Sequence, residues 1–132
     1  MGKKYIGYRM FEKDKNGRLI ARRGHVRVEG DDGHQRPLNP HRDFLDHSST
    51  GYEWRFKGPG SAQLAFALAF DATKDRTRAL HVYWRLEALI VGKLSHIVWS
   101  LTADEVLSMI RGIEDQEFVG ELTRPGGDQA ED

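Results

Sequence analysis

The segment over residues 62–70 places the tightest constraint on the fold. Apart from Gln63, each of its residues is alanine, leucine or phenylalanine. Alanine and leucine favour the α-helix, and a helix that is apolar on every side is buried on every side. The rest of the chain must therefore surround a central helix. We expect three aromatic residues to share that core, because such side chains supply much of the apolar area of small domains: Trp54, Trp84 and Trp99.

Length and composition predict one domain. The chain has 132 residues, of which 39% are hydrophobic, enough for one modest core. Beyond residue 113 the sequence is acidic and offers little apolar surface to bury. We therefore predict a single α+β domain over residues 1–113 and a disordered, flexible acidic tail over residues 114–132.

The N-terminal region has the pattern of an antiparallel β-hairpin or meander. Residues 5–11 alternate between two faces, as strands do. Asn16 and Gly17 supply a turn, because both residues tolerate the positive φ of a tight hairpin. Residues 19–28 then return as a strand with an interruption at residues 22–24.

The middle of the chain predicts a loop and a short strand ahead of the central helix. Residues 34–51 are polar and lack periodicity, which is typical of a loop. Residues 52–56 alternate again and predict a strand. A turn over residues 58–61 then leads into the central helix.

The last third predicts two more helices and a later strand. A helix is expected over residues 77–94, with a threonine N-cap at its first residue. Residues 96–101 are β-branched and aromatic, which favours a strand. Thr102 and Glu105 match a capping box, so a final helix is expected over residues 103–113.

Several functional classes are excluded or disfavoured by what the sequence lacks. Without cysteine, the chain has neither a disulfide nor a thiolate metal site nor a catalytic cysteine. It shows no signal peptide and no apolar stretch of bilayer length, which predicts a cytoplasmic protein that has no membrane partner. No nucleophile–base motif is recognisable, so we predict no catalytic residue and no cofactor.

The first candidate binding site is a basic surface of the kind that binds nucleic acid. Residues 1–30 contain nine lysines and arginines against three acidic residues, whereas residues 112–132 contain one against seven. Basic side chains interleaved with aromatic ones can follow a phosphate backbone. The alternative is an ordinary solvated strand face. The candidate residues are Arg9, Lys13, Lys15, Arg18, Arg22, Arg23 and Arg27.

The second candidate is an anion site at the glycine turn. A helix N-terminus offers free N–H groups, and glycine allows an anion to approach closely. The alternative is a purely structural turn into a tightly packed helix. The candidate residues are Arg55, Lys57, Gly58, Gly60 and Ser61.

A third cluster has the side chains of a metal site. His34, His41 and His47 lie in the polar loop together with Asp43 and Asp46, and imidazole and carboxylate groups are ligands of zinc. Solvated histidines in a loop are the alternative. We assign no metal from the sequence, and both interpretations stay open.

The segment over residues 49–65 resembles a family of prokaryotic proteins, the domain of unknown function 6166. The resemblance extends over about residues 4–112 and is most specific over residues 54–65. It implies the architecture above and an origin in phages or plasmids, and it implies no catalytic residue. The matching elements are Tyr5 and Gly7, the Glu53–Trp54 pair, the Gly58–Ser61 turn, the Gln63–Ala65 start of the helix, and Trp99.

Two functional hypotheses follow from the sequence. The first is a non-enzymatic binding or regulatory module, derived from a mobile element, that acts by surface contact with a protein or a nucleic acid. The second is a small-molecule binder or enzyme that holds a phosphate or another anion at the Gly58–Ser61 turn. A pocket at that turn would favour the second hypothesis, and a continuous basic face would favour the first.

Overall fold

A four-stranded antiparallel sheet forms one layer of the domain. A computed structural model describes residues 2–47, 51–55 and 58–123. The strands are β1 (Lys4–Lys13), β2 (Leu19–Glu29), β3 (Gln35–Pro37) and β4 (Val98–Thr102), in the spatial order β3-β2-β1-β4. The sheet and the helices together confirm the predicted α+β class.

The helices follow β3 and flank β4 in the chain. They are α1 (Pro59–Thr73), α2 (Arg76–Leu89) and α3 (Ala103–Thr123), and a 3-10 turn at Val91–Lys93 follows α2. Among the described helices, none combines the length and the apolar character that crossing a bilayer requires.

The central helix predicted from the sequence is α1. Its residues 63–69 are all buried, including the one polar residue, Gln63. The inner face of the sheet supplies Tyr5, Val26 and Trp99 to the same core, and α2 and α3 contribute their own buried faces. The apolar helix is thus buried in the core, as the sequence predicts.

Two tryptophan rings of the core pack directly against glycines of the sheet. A Cβ atom added to Gly7 would lie 2.1 Å from the Trp99 ring, and one added to Gly24 would lie 2.0 Å from the Trp54 ring. Both distances are far inside van der Waals contact, so only glycine fits at these two positions. The two indole rings meet edge to face, with centroids 5.5 Å apart.

The tip half of the β1–β2 hairpin, residues 10–23, extends past the rest of the sheet as a two-stranded arm. β4 pairs with β1 only as far as Tyr8, and the β1–β2 register shifts between Arg9 and Phe11, where the interruption was predicted. At the tip, Asp14 accepts hydrogen bonds from the backbone of Asn16 and Arg18, and Gly17 has a φ of 81°. Except for half-buried Asp14, each residue of the arm is exposed.

Several local predictions are wrong. Of the strand expected over residues 52–56, the described part makes an isolated bridge between Tyr52 and Gly24, and the positive φ of Arg55 turns the chain away. The expected loop contains β3. The second helix begins at Arg76, because Asp75 rather than a threonine accepts the N-cap hydrogen bond. Trp84 on this helix is 54% exposed and lies outside the core.

The capping box before the last helix is confirmed. The Thr102 hydroxyl accepts a hydrogen bond from the Glu105 amide, and the Glu105 carboxylate accepts one from the Thr102 amide. The helix nevertheless runs ten residues past its expected end at residue 113. Glu114 receives two hydrogen bonds from Arg78, and Glu117 contacts His81 and Arg85, so α3 is bonded to α2 beyond that point. Residues 124–132 of the predicted tail lie outside the described residues.

These contacts predict where the chain can be shortened. A chain ending at Phe118 keeps both glutamates and should unfold within about 0.5 kcal/mol of the full-length protein, because Val119, the first apolar residue that it loses, is 55% exposed. A chain ending at Ile113 loses both ion-pair sets and should be destabilised by about 1–2 kcal/mol. Urea unfolding of the three chains measures both values. Equal losses of unfolding free energy in the two truncated chains would contradict the stabilising role given to Glu114 and Glu117.

Candidate nucleic-acid interface

A cleft of about 340 Å³ opens beside β2 at the base of the arm. Strand β3 pairs with β2 only over residues 27–29, so the neighbouring part of β2 faces the loop that follows β3. None of the described residues lining the cleft is acidic. Its charged and aromatic lining consists of Arg23, Arg27, Arg42, Tyr8, His25 and Tyr52.

The far wall of the cleft is held by a buried glutamine of the central helix. The Gln63 amide nitrogen donates hydrogen bonds to the carbonyls of Pro40 and Leu45, at 2.8 and 2.7 Å. Its amide oxygen accepts one from the His47 backbone at 2.7 Å. Because Gln63 is buried in α1 and makes three hydrogen bonds to the loop, it anchors the loop to α1.

Tyr52 also holds the loop that forms this wall of the cleft. Its hydroxyl donates to the Leu38 carbonyl at 2.8 Å, and the Leu38 amide in turn donates to the carbonyl of Val26 on β2. Burial raises the pKa of Tyr52 above its usual range, so the hydroxyl stays protonated and remains a donor. Hydrogen bonds to α1 and β2 therefore hold the wall of the cleft in place.

An aromatic pair stands at the mouth of the cleft. Tyr8 on β1 and His25 on β2 are directly opposite in the register, and their rings are stacked with centroids 5.5 Å apart and planes at 22°. His25 is exposed and Tyr8 is half-buried. Both point to the outer face of the sheet, opposite to the core.

Each arginine of the cleft contacts a different neighbour. Arg27 donates to the Gln35 carbonyl at 3.3 Å, and Arg42 contacts the Asp46 carboxylate at 3.2 Å. The side chain of Arg23 lies beside Gly51, where an added Cβ atom would be 3.4 Å away. Three arginines thus line one cavity, and none of its described lining residues is acidic.

The predicted nucleic-acid residues divide into three groups. Arg23 and Arg27 line the cleft. The other exposed ones lie along the arm: Lys13, Lys15, Arg18 and Arg22, the last of which contacts Glu12. Arg9 is placed in the interior.

The position of Arg9 is set by its contacts. It is 8% exposed, donates to the His96 carbonyl at 2.8 Å and to the Glu53 carboxylate at 2.7 Å, and lies over the Trp54 ring at 4.4 Å. These contacts satisfy the guanidinium and tie β1 to two distant segments. Arg9 therefore belongs to the structural core rather than to the exposed basic surface.

The predicted anion turn is closed by the chain itself. The Gly58 amide donates to the Glu87 carboxylate at 3.3 Å, and the Ser61 hydroxyl donates to the Glu53 carbonyl at 3.2 Å. A Cβ atom added to Gly60 would lie 2.9 Å from the Glu53 backbone nitrogen. Gly60 is helical, without the positive φ that a glycine can adopt. Arg55 is exposed, and Lys57 lies outside the described residues.

The three loop histidines have separate partners. His34 contacts Asp32 at 2.8 Å, His41 stacks on Phe70, and His47 shares a 2.9 Å hydrogen bond with Tyr83. Within residues 2–47, 51–55 and 58–123, no group of three metal-ligating side chains converges.

A buried carboxylate that the sequence reading missed joins the sheet to α1. Asp71 is 5% exposed and accepts hydrogen bonds from the Tyr5 hydroxyl at 2.7 Å and from Lys3, Arg36 and Lys74. Burial alone would raise its pKa. The bonds from Lys3 and Tyr5, together with the surrounding positive charge, instead hold the pKa of Asp71 well below its usual range.

Comparison with known proteins identifies a family and nothing closer. No curated protein and no solved structure matches the chain. A family model described as "Family of unknown function (DUF6166)" matches residues 5–112, a span that contains α1, α2, the cleft and all of the sheet except Lys4. Because this match covers well over half of the sequence, the chain belongs to the DUF6166 family.

Proposed function

We propose that this protein is a nucleic-acid-binding module that holds the phosphate backbone in the arginine-lined cleft beside β2. The observation that carries the proposal is the cleft lining, which includes Arg23, Arg27 and Arg42 and, among the described residues, no acidic one. A guanidinium group binds phosphate through charge-assisted hydrogen bonds, so a phosphodiester that enters the cleft can accept such bonds from the arginines that line it.

The arm favours a polymer over a small anion. It carries five basic residues against two acidic ones and continues outward from the cleft. A single phosphate would occupy the cleft alone, whereas a strand of nucleic acid would also contact the arm. The exposed Met10, Phe11, Leu19 and Ile20 add apolar surface beside these charges.

The alternative hypothesis, an anion site at the Gly58–Ser61 turn, has less support. The Gly58 amide of the turn already donates to Glu87, and Glu53 fills the space beside Gly60. A ligand there would have to displace the Glu87 carboxylate and the Glu53 segment that packs against Gly60.

Charge removal in the cleft tests the proposal. The double variant Arg23→Gln/Arg27→Gln should bind a labelled single-stranded oligonucleotide at least about tenfold more weakly at low salt. The slope of log affinity against log salt should be shallower by about 1.4, since each phosphate contact contributes roughly 0.7 on a single strand. Fluorescence anisotropy over a salt series measures both quantities.

The matched control is Arg111→Gln, which removes one charge from the exposed surface of α3. It should change neither affinity nor salt slope appreciably, and thermal melts should show all three proteins folded. Absence of binding to any DNA or RNA at low salt, or an unchanged slope in the double variant, would overturn the proposal.

A further inference from the structure

The outer face of the sheet carries an aromatic and apolar surface next to the cleft. Tyr8 on the central strand lies between His25 on β2 and Val98 on β4, and Ile6 lies between Arg27 and Ser100. Val98 is 56% exposed. The inner-face neighbours of these residues are buried in the core, so this surface faces away from the helices.

One ligand could contact both the stacked aromatic pair and the arginines. Tyr8 and His25 line the same cleft as Arg23, Arg27 and Arg42. A cleft of about 340 Å³ is at the lower end of the size of small-ligand sites, enough for a nucleotide but not for a double helix. A phosphate held by the arginines would therefore place the attached base beside the Tyr8–His25 stack.

From this juxtaposition we propose that the ligand is single-stranded nucleic acid, with one base stacked on the Tyr8–His25 pair and the adjoining phosphate held by the cleft arginines. The inference rests on the proposed function and names its ligand class. In a duplex the faces of the bases are covered by their neighbours, and only the edges are accessible in the grooves. A single strand presents whole base faces, which stack on aromatic side chains.

The experiment compares two forms of one sequence and three variants of the protein. A single strand containing 2-aminopurine and the duplex formed with its complement are each titrated with the wild-type protein. The single strand should bind at least about tenfold more tightly, and its 2-aminopurine fluorescence should be quenched by stacking. Tyr8→Ala should weaken single-strand binding by roughly 5- to 150-fold, which corresponds to the usual contribution of one stacked base, and should abolish the quenching.

Two variants separate stacking from folding. Tyr8→Phe keeps the ring and should bind and quench as the wild type does. His25→Ala removes the exposed member of the pair and should weaken single-strand binding in the same direction as Tyr8→Ala, so the test stands even if Tyr8→Ala is unstable.

The outcomes distinguish this inference from the proposed function. Equal affinity for duplex and single strand, or unchanged quenching in both alanine variants, overturns the stacking inference and leaves nucleic-acid binding in place. A mononucleotide that binds as tightly as the strand also overturns it. Absence of binding to either form at low salt overturns both proposals.

Discussion

Replacing Gly24 with alanine is expected to lower the free energy of unfolding by about 3 kcal/mol, near the upper end of the usual cost of overpacking. The new Cβ atom would lie 2.0 Å from the Trp54 ring. That ring is fully buried and also packs against Arg9 and Trp99, so any shift of the ring would disturb these contacts. Urea unfolding followed by circular dichroism measures the loss.

The control for this substitution is Gly112→Ala. Gly112 lies in α3 with no atom within 4 Å of an added Cβ. Alanine is the better helix former by about 0.8–1 kcal/mol, so this variant should be more stable than the wild type. Equal unfolding midpoints for the two variants would show that the glycine–tryptophan contact does not limit the residue at position 24.

Replacing Asp71 with asparagine should cost about 2–3 kcal/mol at neutral pH, because the charge-assisted hydrogen bonds from Lys3 and Tyr5 are weakened in a buried position. The loss should depend on pH. The pKa of Asp71 is lower in the folded state than its ordinary value of 3.8, so its ionised form stabilises the fold. This contribution is complete above that ordinary value and disappears as the pH falls from there through the folded-state pKa.

Thermal melts of wild type and Asp71→Asn between neutral and strongly acidic pH check this expectation. The two melting temperatures should approach each other as the pH falls. Asp46→Asn is the control, since Asp46 is an exposed carboxylate paired with Arg42 and its loss should cost less than about 1 kcal/mol. A stability difference between wild type and Asp71→Asn that stays constant over the pH range would contradict the role given to the ionised carboxylate.

The parts of the fold that were predicted correctly are those determined by neighbouring residues. The hairpin turn follows from Asp14 and Gly17, and the start of the last helix follows from Thr102 and Glu105, all of which act over four residues or fewer. The central helix was predictable because its composition leaves it no polar face.

The cleft was not predictable because its residues come from distant segments. Tyr8, Arg23, Leu38 and Tyr52 meet there only once β2 has paired with β1 and the loop has bound to Gln63. Arg9 and Arg23 look equivalent in the sequence, yet one is buried and the other exposed. The difference arises from Glu53 and Trp54, which lie more than forty residues beyond Arg9.

The central position of β1 determines the order in which the protein can be completed during synthesis. Its pairing with β2 requires the chain only as far as Glu29, but its other edge waits for β4, which ends at Thr102. Until then the nascent chain exposes an unpaired strand edge and the uncovered glycine on which Trp99 will lie. A ribosome that pauses before β4 would thus hold a hairpin with an open edge, which can pair with another chain.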